Sequence, residues 1–328
     1  MPETIIIIII IALLFDISNG MHDTANAIAT VVSTRVLTPA QAVLMAAALN
    51  VFGAFMSTHV AKTIGTGLVS PLGITSSVII AALVAGFIWN IAMIRLGLPV
   101  SSSHALIGSL LGAAFSHGGI TVLNFSGLYN IFFSLLVSPI IGLIFGYLLM
   151  KLILIVFGRF SPSVLNKNFG IMQIFSSGFM AFSHGSNDAQ KVMGIITLSL
   201  FSSGIINSIE VPFWVIVICA LAMGFGTALG GWKVIKTLGV SMLKLEPIHG
   251  FAVETAATSI ILAASYFGMP VSTTNVISCA IMGVGATKRL SAVRWGVARK
   301  IVFAWIFTLP SCIFMAYFLD KLISMFVN

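Results

Sequence analysis

The sequence predicts an all-α polytopic membrane protein built from two inverted-topology repeats of about five membrane segments each. Of its 328 residues, 59% are hydrophobic and only 7% are charged, whereas soluble domains carry about 25% charged residues. Long apolar runs recur along the chain, and polar landmarks of the first half return in the same order in the second. So few charges cannot cover a 34.7 kDa protein with a solvated surface. Most of that surface must therefore face lipid, which excludes a soluble fold.

Apolar segments long enough to cross a bilayer, or nearly so, follow one another along the chain at about 20 residues per crossing. The ten segments are residues 4–32, 38–60, 75–96, 100–117, 126–157, 169–201, 211–232, 247–267, 271–287 and 293–319. A polar stretch at residues 158–168, which includes Pro162, lies between the fifth and sixth segments. We expect a first membrane repeat at 1–157, a short cytoplasmic linker at 158–168 and a second repeat at 169–328.

Four landmarks of the first half recur in the second half at offsets of 165 to 174 residues. They are the Gly-x-x-Asp motifs ending at Asp23 and Asp188, the Lys-Thr-x-Gly motifs starting at Lys62 and Lys236, the Pro-Val-Ser motifs starting at Pro99 and Pro270, and Pro139 with Pro310. Internal repeats of this kind indicate a duplicated architecture. Each landmark is weak alone, but their shared order predicts that the two halves have one fold.

The basic residues predict the orientation of the halves, because Lys and Arg accumulate in cytoplasmic loops. Five crossings per half place thirteen of the 16 basic residues on one side and two on the other, with Lys191 inside a motif. An odd number of crossings makes the halves inverted and puts both termini outside the cytoplasm. Segments three and four of each half could instead form a hairpin, which has the same parity. The net charge of +8 is thus explained by topology, and nucleic-acid binding is not predicted.

Polar residues interrupt the first apolar segment of each half. They are Asp16, His22, Asp23 and Asn26 in the first half, and His184, Asn187, Asp188, Gln190 and Lys191 in the second. Ionisable groups at membrane depth are costly, so a functional role is the default interpretation. Gly20 and Gly185, three residues before each aspartate, predict a local helix break that would free backbone groups to bind a ligand. The alternative to a functional role is that these polar residues cap a pair of helix ends at the membrane surface.

Three consecutive hydroxyl side chains open a helix in each half, directly after a Pro-Val pair. They are Ser101, Ser102 and Ser103, followed by His104, and Ser272, Thr273 and Thr274. Hydroxyls beside the free N–H groups of a helix N-terminus bind phosphate or sulfate with little formal charge. Helix capping explains one such residue at each place, but not three. Because the two turns must meet to form one site, we favour hairpins for segments three and four that reach the bilayer midplane.

Inverted repeats with polar clusters at equivalent places are typical of secondary transporters with one central site. Hydroxyls, amides and Lys191 suit an oxyanion, whereas Asp23 and Asp188 suit a cation. Without the cation the carboxylates would repel the anion, so we expect cation-coupled anion uptake. Glu254 and Asn90 lie inside apolar segments, where hydrogen bonding between helices is at least as good an explanation as a transport role.

Two other function classes remain as alternatives. A passive anion channel would use the same polar residues without a coupling ion. An intramembrane hydrolase would use Ser103 with His104, or His184 with Asp188. Adjacent helical residues point about 100° apart, and serine catalysis needs a hydroxyl, a base and an orienting group in contact. The sequence supplies no such triad, so we do not predict an enzyme.

The motifs GMHDTANA and SHGSNDAQK, in the same order as LPVSSSH and MPVSTTN, resemble the two signature repeats of the inorganic phosphate transporters, the PiT family. The first motif is most similar to that of the bacterial low-affinity phosphate permeases. The resemblance covers about residues 5–320. It implies phosphate symport with protons or Na⁺, in bacterial members often as a neutral metal–hydrogen-phosphate complex, by a homodimer in the inner (plasma) membrane. A sulfate permease is the alternative within the family.

The resemblance also assigns site residues, position by position. Substrate contacts fall on Ser101, Ser102, Ser103, Ser272, Thr273, Thr274, Asn187, Gln190 and Lys191, and the coupling ion falls on Asp23, Asn26 and Asp188. To the residues for the coupling ion we add His22, which precedes Asp23. His22 departs from the family signature, which has Asn at that position as at Asn187. A histidine there could carry a proton or act as a neutral hydrogen-bonding partner, so the sequence does not decide between H⁺ and Na⁺. No cofactor is expected, and a divalent metal enters only as a co-substrate.

Overall fold

The structure is a computed structural model that describes residues 3–69 and 74–327. Within those residues the regular elements are all helical, as predicted. Twelve α-helices follow one another there: α1 Glu3–Ser33, α2 Pro39–Ala54, α3 His59–Gly67, α4 Ser76–Leu96, α5 Ser102–Gly118, α6 Phe125–Phe157, α7 Pro162–Ser202, α8 Phe213–Leu229, α9 Trp232–Lys236, α10 Pro247–Tyr266, α11 Thr273–Lys288 and α12 Trp295–Val327. Short 3₁₀ turns at Gly119–Val122 and Leu290–Ala292 and a π turn at Thr237–Ser241 complete the set.

The helices form two sets of six with the same order of shapes. A long helix comes first, a bent pair follows, then a helical hairpin, and a second long helix ends each set. The two sets exchange partners, because α6 packs on α11 while α12 packs on α5. In the same way α2 packs on α7 and α8 packs on α1. Such reciprocal contacts are what a pseudo-two-fold axis between two halves produces, which supports the predicted duplication.

The predicted breaks at Gly20 and Gly185 were wrong, because α1 and α7 run continuously through both residues. Added Cβ atoms would lie 2.5 Å from the Met223 carbonyl oxygen at Gly20 and 2.1 Å from the Asn50 carbonyl oxygen at Gly185. These glycines therefore allow α1 to approach α8 and α7 to approach α2, as small residues do between membrane helices. The helix breaks lie elsewhere, with bends of 69° between α2 and α3 and 64° between α8 and α9.

The α4–α5 and α10–α11 pairs are hairpins with matching tips. Gly97 and Gly268 occupy equivalent places in the two tips, with φ angles of 69° and 67° that side-chain-bearing residues rarely adopt. The tips touch each other, because the Ser103 hydroxyl donates to the Val271 carbonyl at 3.0 Å. The favoured arrangement, in which the two hydroxyl-rich turns meet, is what the structure shows.

The predicted linker at residues 158–168 is shorter than expected. The helix α6 ends at Phe157 and α7 begins at Pro162, so only residues 158–161 are non-helical. Proline is compatible with the first position of a helix, where its missing N–H would have had no partner. Residues 162–168 therefore form the first turns of α7, mostly exposed.

Two apolar cores lie on either side of a polar middle layer. One core contains Ile8 and Phe15 from the first half of α1, and the other contains Ile28 and Val31 from its second half. The helix α7 likewise contributes its two ends to different cores. Between the cores, the middles of both helices carry polar side chains that are fully buried. The fold thus places the two signature motifs together in the interior.

Six helices of the described residues are long and apolar enough to cross a membrane, or up to eight spans if each bent pair counts as one. Large apolar side chains are exposed along α6 and α12, including Leu136, Ile140, Ile155, Phe303, Phe307 and Phe314. This surface confirms a multi-pass membrane protein. The ten crossings and the position of the termini outside the cytoplasm stay predictions.

Candidate functional site

The Asp23 carboxylate joins α1 to the tips of both hairpins. The hydroxyls of Ser102 and Thr274 donate to its two oxygens at 2.6 and 2.9 Å. The ring nitrogen Nδ1 of His22 lies 2.7 Å from one of the same oxygens. Asp23 is fully buried, so these contacts take the place of water. A carboxylate in the interior needs such donors to remain ionised.

Asp188, at the equivalent place on α7, has a cationic partner instead. The Lys191 ammonium donates to the Asp188 carboxylate at 2.7 Å, to the Ser103 hydroxyl at 2.5 Å and to the Val271 carbonyl at 3.1 Å. Thr273 donates to the other Asp188 oxygen at 3.3 Å. Lys191 is only 2% exposed. All three of its N–H donors therefore have acceptors, and the ion pair is closed from solvent.

Asn26 ties the second hairpin to α1. Its amide nitrogen lies 3.2 Å from the Thr273 hydroxyl and 2.9 Å from the Thr274 hydroxyl. The structure thus brings most of the assigned residues into one buried cluster at the meeting point of four helices. That cluster consists of His22, Asp23, Asn26, Ser102, Ser103, Asp188, Lys191, Thr273 and Thr274.

His22 and Asn187 brace the tips of their own hairpins. The His22 Nε2 atom lies 3.1 Å from the Leu98 carbonyl oxygen. Asn187 donates to the Met269 carbonyl at 3.5 Å and to the Ser265 hydroxyl at 3.0 Å. Leu98 and Met269 occupy equivalent places in the two tips. The substitution of His for Asn in the first motif therefore keeps the contact between motif and tip.

Gln190 is not brought to the cluster. Its amide oxygen accepts from the N–H groups of Val60 and Ala61 at 2.9 and 3.3 Å, at the start of α3. Its amide nitrogen donates to the Ser57 hydroxyl and the Ser186 carbonyl at 3.0 and 2.5 Å. These bonds use the whole amide group at the bend between α2 and α3. Two residues after Asp188, Gln190 points away because neighbouring helical residues face different sides.

Ser101 and Ser272 cap the N-termini of α5 and α11. Helix capping thus accounts for one of the three hydroxyls in each turn, as considered above. Their side-chain oxygens accept from the N–H groups of His104 at 3.1 Å and Asn275 at 3.2 Å. Each therefore starts its helix rather than facing the carboxylates. The remaining hydroxyls of both turns face the central cluster.

His184 lies beside the two carboxylates, although the family resemblance did not place it among the site residues. Its Nε2 atom lies 3.9 Å from Asp23 and 3.7 Å from Asp188 and has no hydrogen-bond partner among the residues that the structure describes. Ligand atoms of Asp23, His184 and Asp188 all lie within 4.8 Å of one another, a spacing that could hold a metal ion. The four-residue spacing from His184 to Asp188, which places both on one helix face, was the available signal.

A chain of hydrogen bonds fixes the orientation of His184. The Thr227 hydroxyl donates to the Met223 carbonyl at 2.9 Å, so it accepts from the Asn50 amide nitrogen at 2.9 Å. The Asn50 amide oxygen therefore faces His184 Nδ1 at 2.9 Å, and Nδ1 must carry the proton. Unless Nε2 is also protonated, its lone pair faces two carboxylates. That arrangement favours a cation between the three groups.

Glu254 forms a separate buried cluster between α10, α1 and α7. Its carboxylate accepts from the Thr30 hydroxyl, from the Gln173 amide at 3.1 Å and from the Ser176 hydroxyl at 2.5 Å. The donors come from two helices packed on α10, so Glu254 makes the helix-to-helix hydrogen bonds considered above for this residue.

Comparison with known proteins identifies the family. Residues 19–165 and 158–316 each match the family described as PHO4, phosphate transporter family. The chain is 44% identical to a "Probable low-affinity inorganic phosphate transporter" of Bacillus subtilis (strain 168), over 93% of this chain and 92% of the relative. A protein of the same name from Rhizobium meliloti (strain 1021) is also 44% identical, over 97% and 96% of the two chains.

A solved structure titled "The sodium-dependent phosphate transporter" has the same fold. It superposes with a TM-score of 0.91 at 25% sequence identity, over 98% of this chain and 99% of that chain. These relatives are named transporters, which are not enzymes, so the prediction against a hydrolase is confirmed. Two successive matches to one family also agree with the two sets of six helices. The chain belongs to the phosphate transporter family.

Proposed function

We propose that the protein takes up inorganic phosphate by symport with a cation, through alternating access, in the plasma membrane. The observation that carries this proposal is the single buried cluster in which hairpin hydroxyls and Lys191 meet two carboxylates. An oxyanion and a cation would each find their ligands there. The names of the relatives support phosphate over sulfate, and the sodium-dependent structural neighbour supports a coupling cation.

Competition for the same hydroxyl donors explains the coupling. In the structure Ser102 and Thr274 donate to Asp23, and Thr273 donates to Asp188. A cation on the carboxylates would release these hydroxyls, which could then donate to phosphate oxygens. Without the cation, phosphate would lose those donors and meet two carboxylates, of which only Asp188 is paired with a lysine. Each ligand therefore strengthens the binding of the other.

Asp23, His184 and Asp188 are the proposed cation ligands, since their ligand atoms lie within 4.8 Å of one another. Carboxylate oxygens bind hard cations, and imidazole also binds a proton or a transition-metal ion. These residues therefore fit H⁺ or Na⁺, and also the metal of a neutral metal–phosphate complex carried as co-substrate. We also propose that the protein is a homodimer. Light scattering of the detergent-solubilised protein, which measures its mass, should then give the mass of two chains.

Uptake into proteoliposomes tests the proposal. Labelled phosphate is supplied with an inward Na⁺ gradient in one set and an inward H⁺ gradient in another. We expect accumulation above equilibrium with at least one gradient, unaffected by excess unlabelled sulfate. Gly296→Ala is a matched control, because an added Cβ there meets nothing within 4 Å. Entry of phosphate only to equilibrium, with neither gradient driving accumulation, would indicate a passive channel, and loss of signal to sulfate would indicate a sulfate permease.

A further inference from the structure

A polar stripe on α1 continues beyond the central cluster. Its members are Asp16, Asn19, Asp23, Asn26 and Thr30, and each is at most 1% exposed. Their spacing of three or four residues places them on one face of the helix. Asp23 and Asn26 belong to the site, and Thr30 bonds to a neighbouring helix. Asp16 and Asn19, at one end of the stripe, have no role in the mechanism above.

Asp16 is a buried acid that has no hydrogen-bond partner among the residues that the structure describes. Within that part of the chain both of its carboxylate oxygens lack a hydrogen bond, as does the Asn19 amide oxygen one turn further along. Among the described residues, the ionisable groups near enough to act electrostatically on Asp16 are Cys219 on α8 and Asp188 and Lys191 on α7. Lys191 is already bonded to Asp188, so it supplies no free positive charge. An ionised carboxylate with neither donor nor counter-ion is far more costly in such a place than a neutral carboxylic acid.

The position of Asp16 suits a role in transport. It precedes Asp23 by seven residues, which is roughly 10 Å along a helix. The equivalent residue of the second half, at the 165-residue offset of the two motifs, is Ala181. Asp16 is therefore not a copy of a duplicated site residue. It adds one protonatable group on one side of the duplicated centre, on the helix face that carries the coupling carboxylate.

We propose that Asp16 binds and releases a proton during the transport cycle, in addition to the cation ligands Asp23, His184 and Asp188. This inference rests on the proposed symport, with H⁺ as a coupling ion. A hydronium ion on one side gives a proton to a carboxylate oxygen, which produces water and the neutral acid of the occluded state. When the path opens to the other side, water accepts the proton and stabilises the carboxylate. One O–H bond breaks for each O–H bond that forms, and one proton moves for each protonation and release.

Two variants test the role of this proton. Asp16→Asn keeps the size of the neutral acid but cannot release a proton. We expect it to continue exchanging labelled phosphate between two sides of equal composition but to lose the stimulation of net uptake by an inward H⁺ gradient. Asp16→Glu, which keeps the acid, should regain the stimulation. Undiminished stimulation in Asp16→Asn would overturn the proposal.

Infrared spectroscopy supplies a readout that does not depend on uptake. The difference between wild type and Asp16→Asn at neutral pH should contain the carbonyl stretch of a protonated carboxylic acid, and saturating inorganic phosphate should shift or remove it. An ionised-carboxylate signal, or a band that phosphate leaves unchanged, would contradict the proposal. If Asp16→Asn cannot be purified, Asp16→Glu takes its place in the difference spectrum, where the phosphate-sensitive band should change position.

The two proposals fail in distinguishable ways. Wild-type uptake driven by Na⁺ but never by H⁺ would end the assignment of Asp16 and leave the proposed symport intact. Uptake that follows neither gradient would end the proposed symport itself.

Discussion

The two carboxylates of the central site occupy equivalent places in the two halves but have different partners. Asp188 is paired with Lys191 at 2.7 Å. Asp23 is bonded to His22 and to one hydroxyl from each hairpin tip. The helices that hold them match in order and packing, so the asymmetry lies in the charges rather than in the scaffold. The lysine gives one half a fixed positive charge, whereas the other half depends on a neutral or titrating histidine.

For the proposed symport, this difference predicts which carboxylate would respond to the coupling cation. The charge of Asp188 is balanced in every state that keeps the lysine in place. Asp23 has no lysine or arginine partner among the described residues, only hydroxyls and the His22 imidazole, so we expect an added cation to change its surroundings most. In the proposed mechanism the inverted repeats would supply two similar hairpins that close on the substrate, and single differences between the repeats would make one half respond to the cation.

The largest expected effect is that of Asp188→Asn, which tests the ion pair between Asp188 and Lys191. It leaves the Lys191 ammonium buried without its counter-ion, and breaking a buried pair in this way costs about 3–5 kcal/mol. We expect uptake to be abolished and the thermal unfolding midpoint of the detergent-solubilised protein to fall sharply. The double variant Asp188→Asn with Lys191→Met should recover the midpoint but not uptake. If Asp188→Asn is as stable as the wild type, the Lys191 ammonium does not depend on Asp188 as its counter-ion.

Asp23→Asn tests the other carboxylate. We expect gradient-driven phosphate uptake to fall by about 100-fold or more, because the main negative charge for the cation is lost. No buried cation is left unpaired, so the protein should insert and unfold near the wild-type temperature. Rates of labelled uptake and unfolding curves from the same preparation separate the two effects. Uptake at the wild-type rate would remove Asp23 from the mechanism.

Gly185→Ala and Gly20→Ala test the close helix contacts made by α7 and by α1. The added Cβ would lie 2.1 Å from a backbone oxygen at Gly185 and 2.5 Å from one at Gly20. Overpacking of this kind costs about 1–3 kcal/mol, so both should lower the unfolding midpoint, Gly185→Ala by more. Gly296→Ala, with open space around it, is the control. If the glycines served as helix breaks instead, alanine would leave stability unchanged or raise it.

The smallest effect is expected for His22→Asn, which makes the first motif like the second. Asn187 already braces its own hairpin through a carbonyl, so Asn at position 22 should support the first hairpin in a similar way. We expect uptake to change by less than about 10-fold. His22→Ala should reduce uptake further, because the Leu98 carbonyl and Asp23 both lose a partner. Complete loss of uptake in His22→Asn would show that the imidazole itself is required.

The sequence was sufficient to predict the duplicated fold and to select most of the residues that the structure brings into the central cluster. Landmarks in a constant order reveal a repeat without knowledge of contacts, and costly polar groups in apolar segments mark a functional centre. The hairpins followed from one further requirement, that two distant hydroxyl-rich turns form one site. Asp23 and Asp188 could thus be placed together although 165 residues separate them.

The predictions that differ from the structure concern residues whose role depends on a neighbouring helix. A glycine in a membrane helix permits either a break or a close approach, and only the facing backbone at Asn50 or Met223 decides between them. Gln190 lies inside the motif, yet its direction around α7 takes it to the start of α3. His184 was left without a role because its orienting partner, Asn50, is 134 residues away in the other half.

Binding measured on the purified protein tests most directly whether phosphate and the cation share one site. Phosphate affinity is measured across a range of cation concentrations, and cation affinity across a range of phosphate concentrations. If phosphate and the cation are coupled as proposed, each ligand raises the affinity of the other by the same factor, as linkage requires, and Asp23→Asn abolishes this factor. Phosphate affinity that does not depend on either H⁺ or Na⁺ concentration would contradict the proposed coupling.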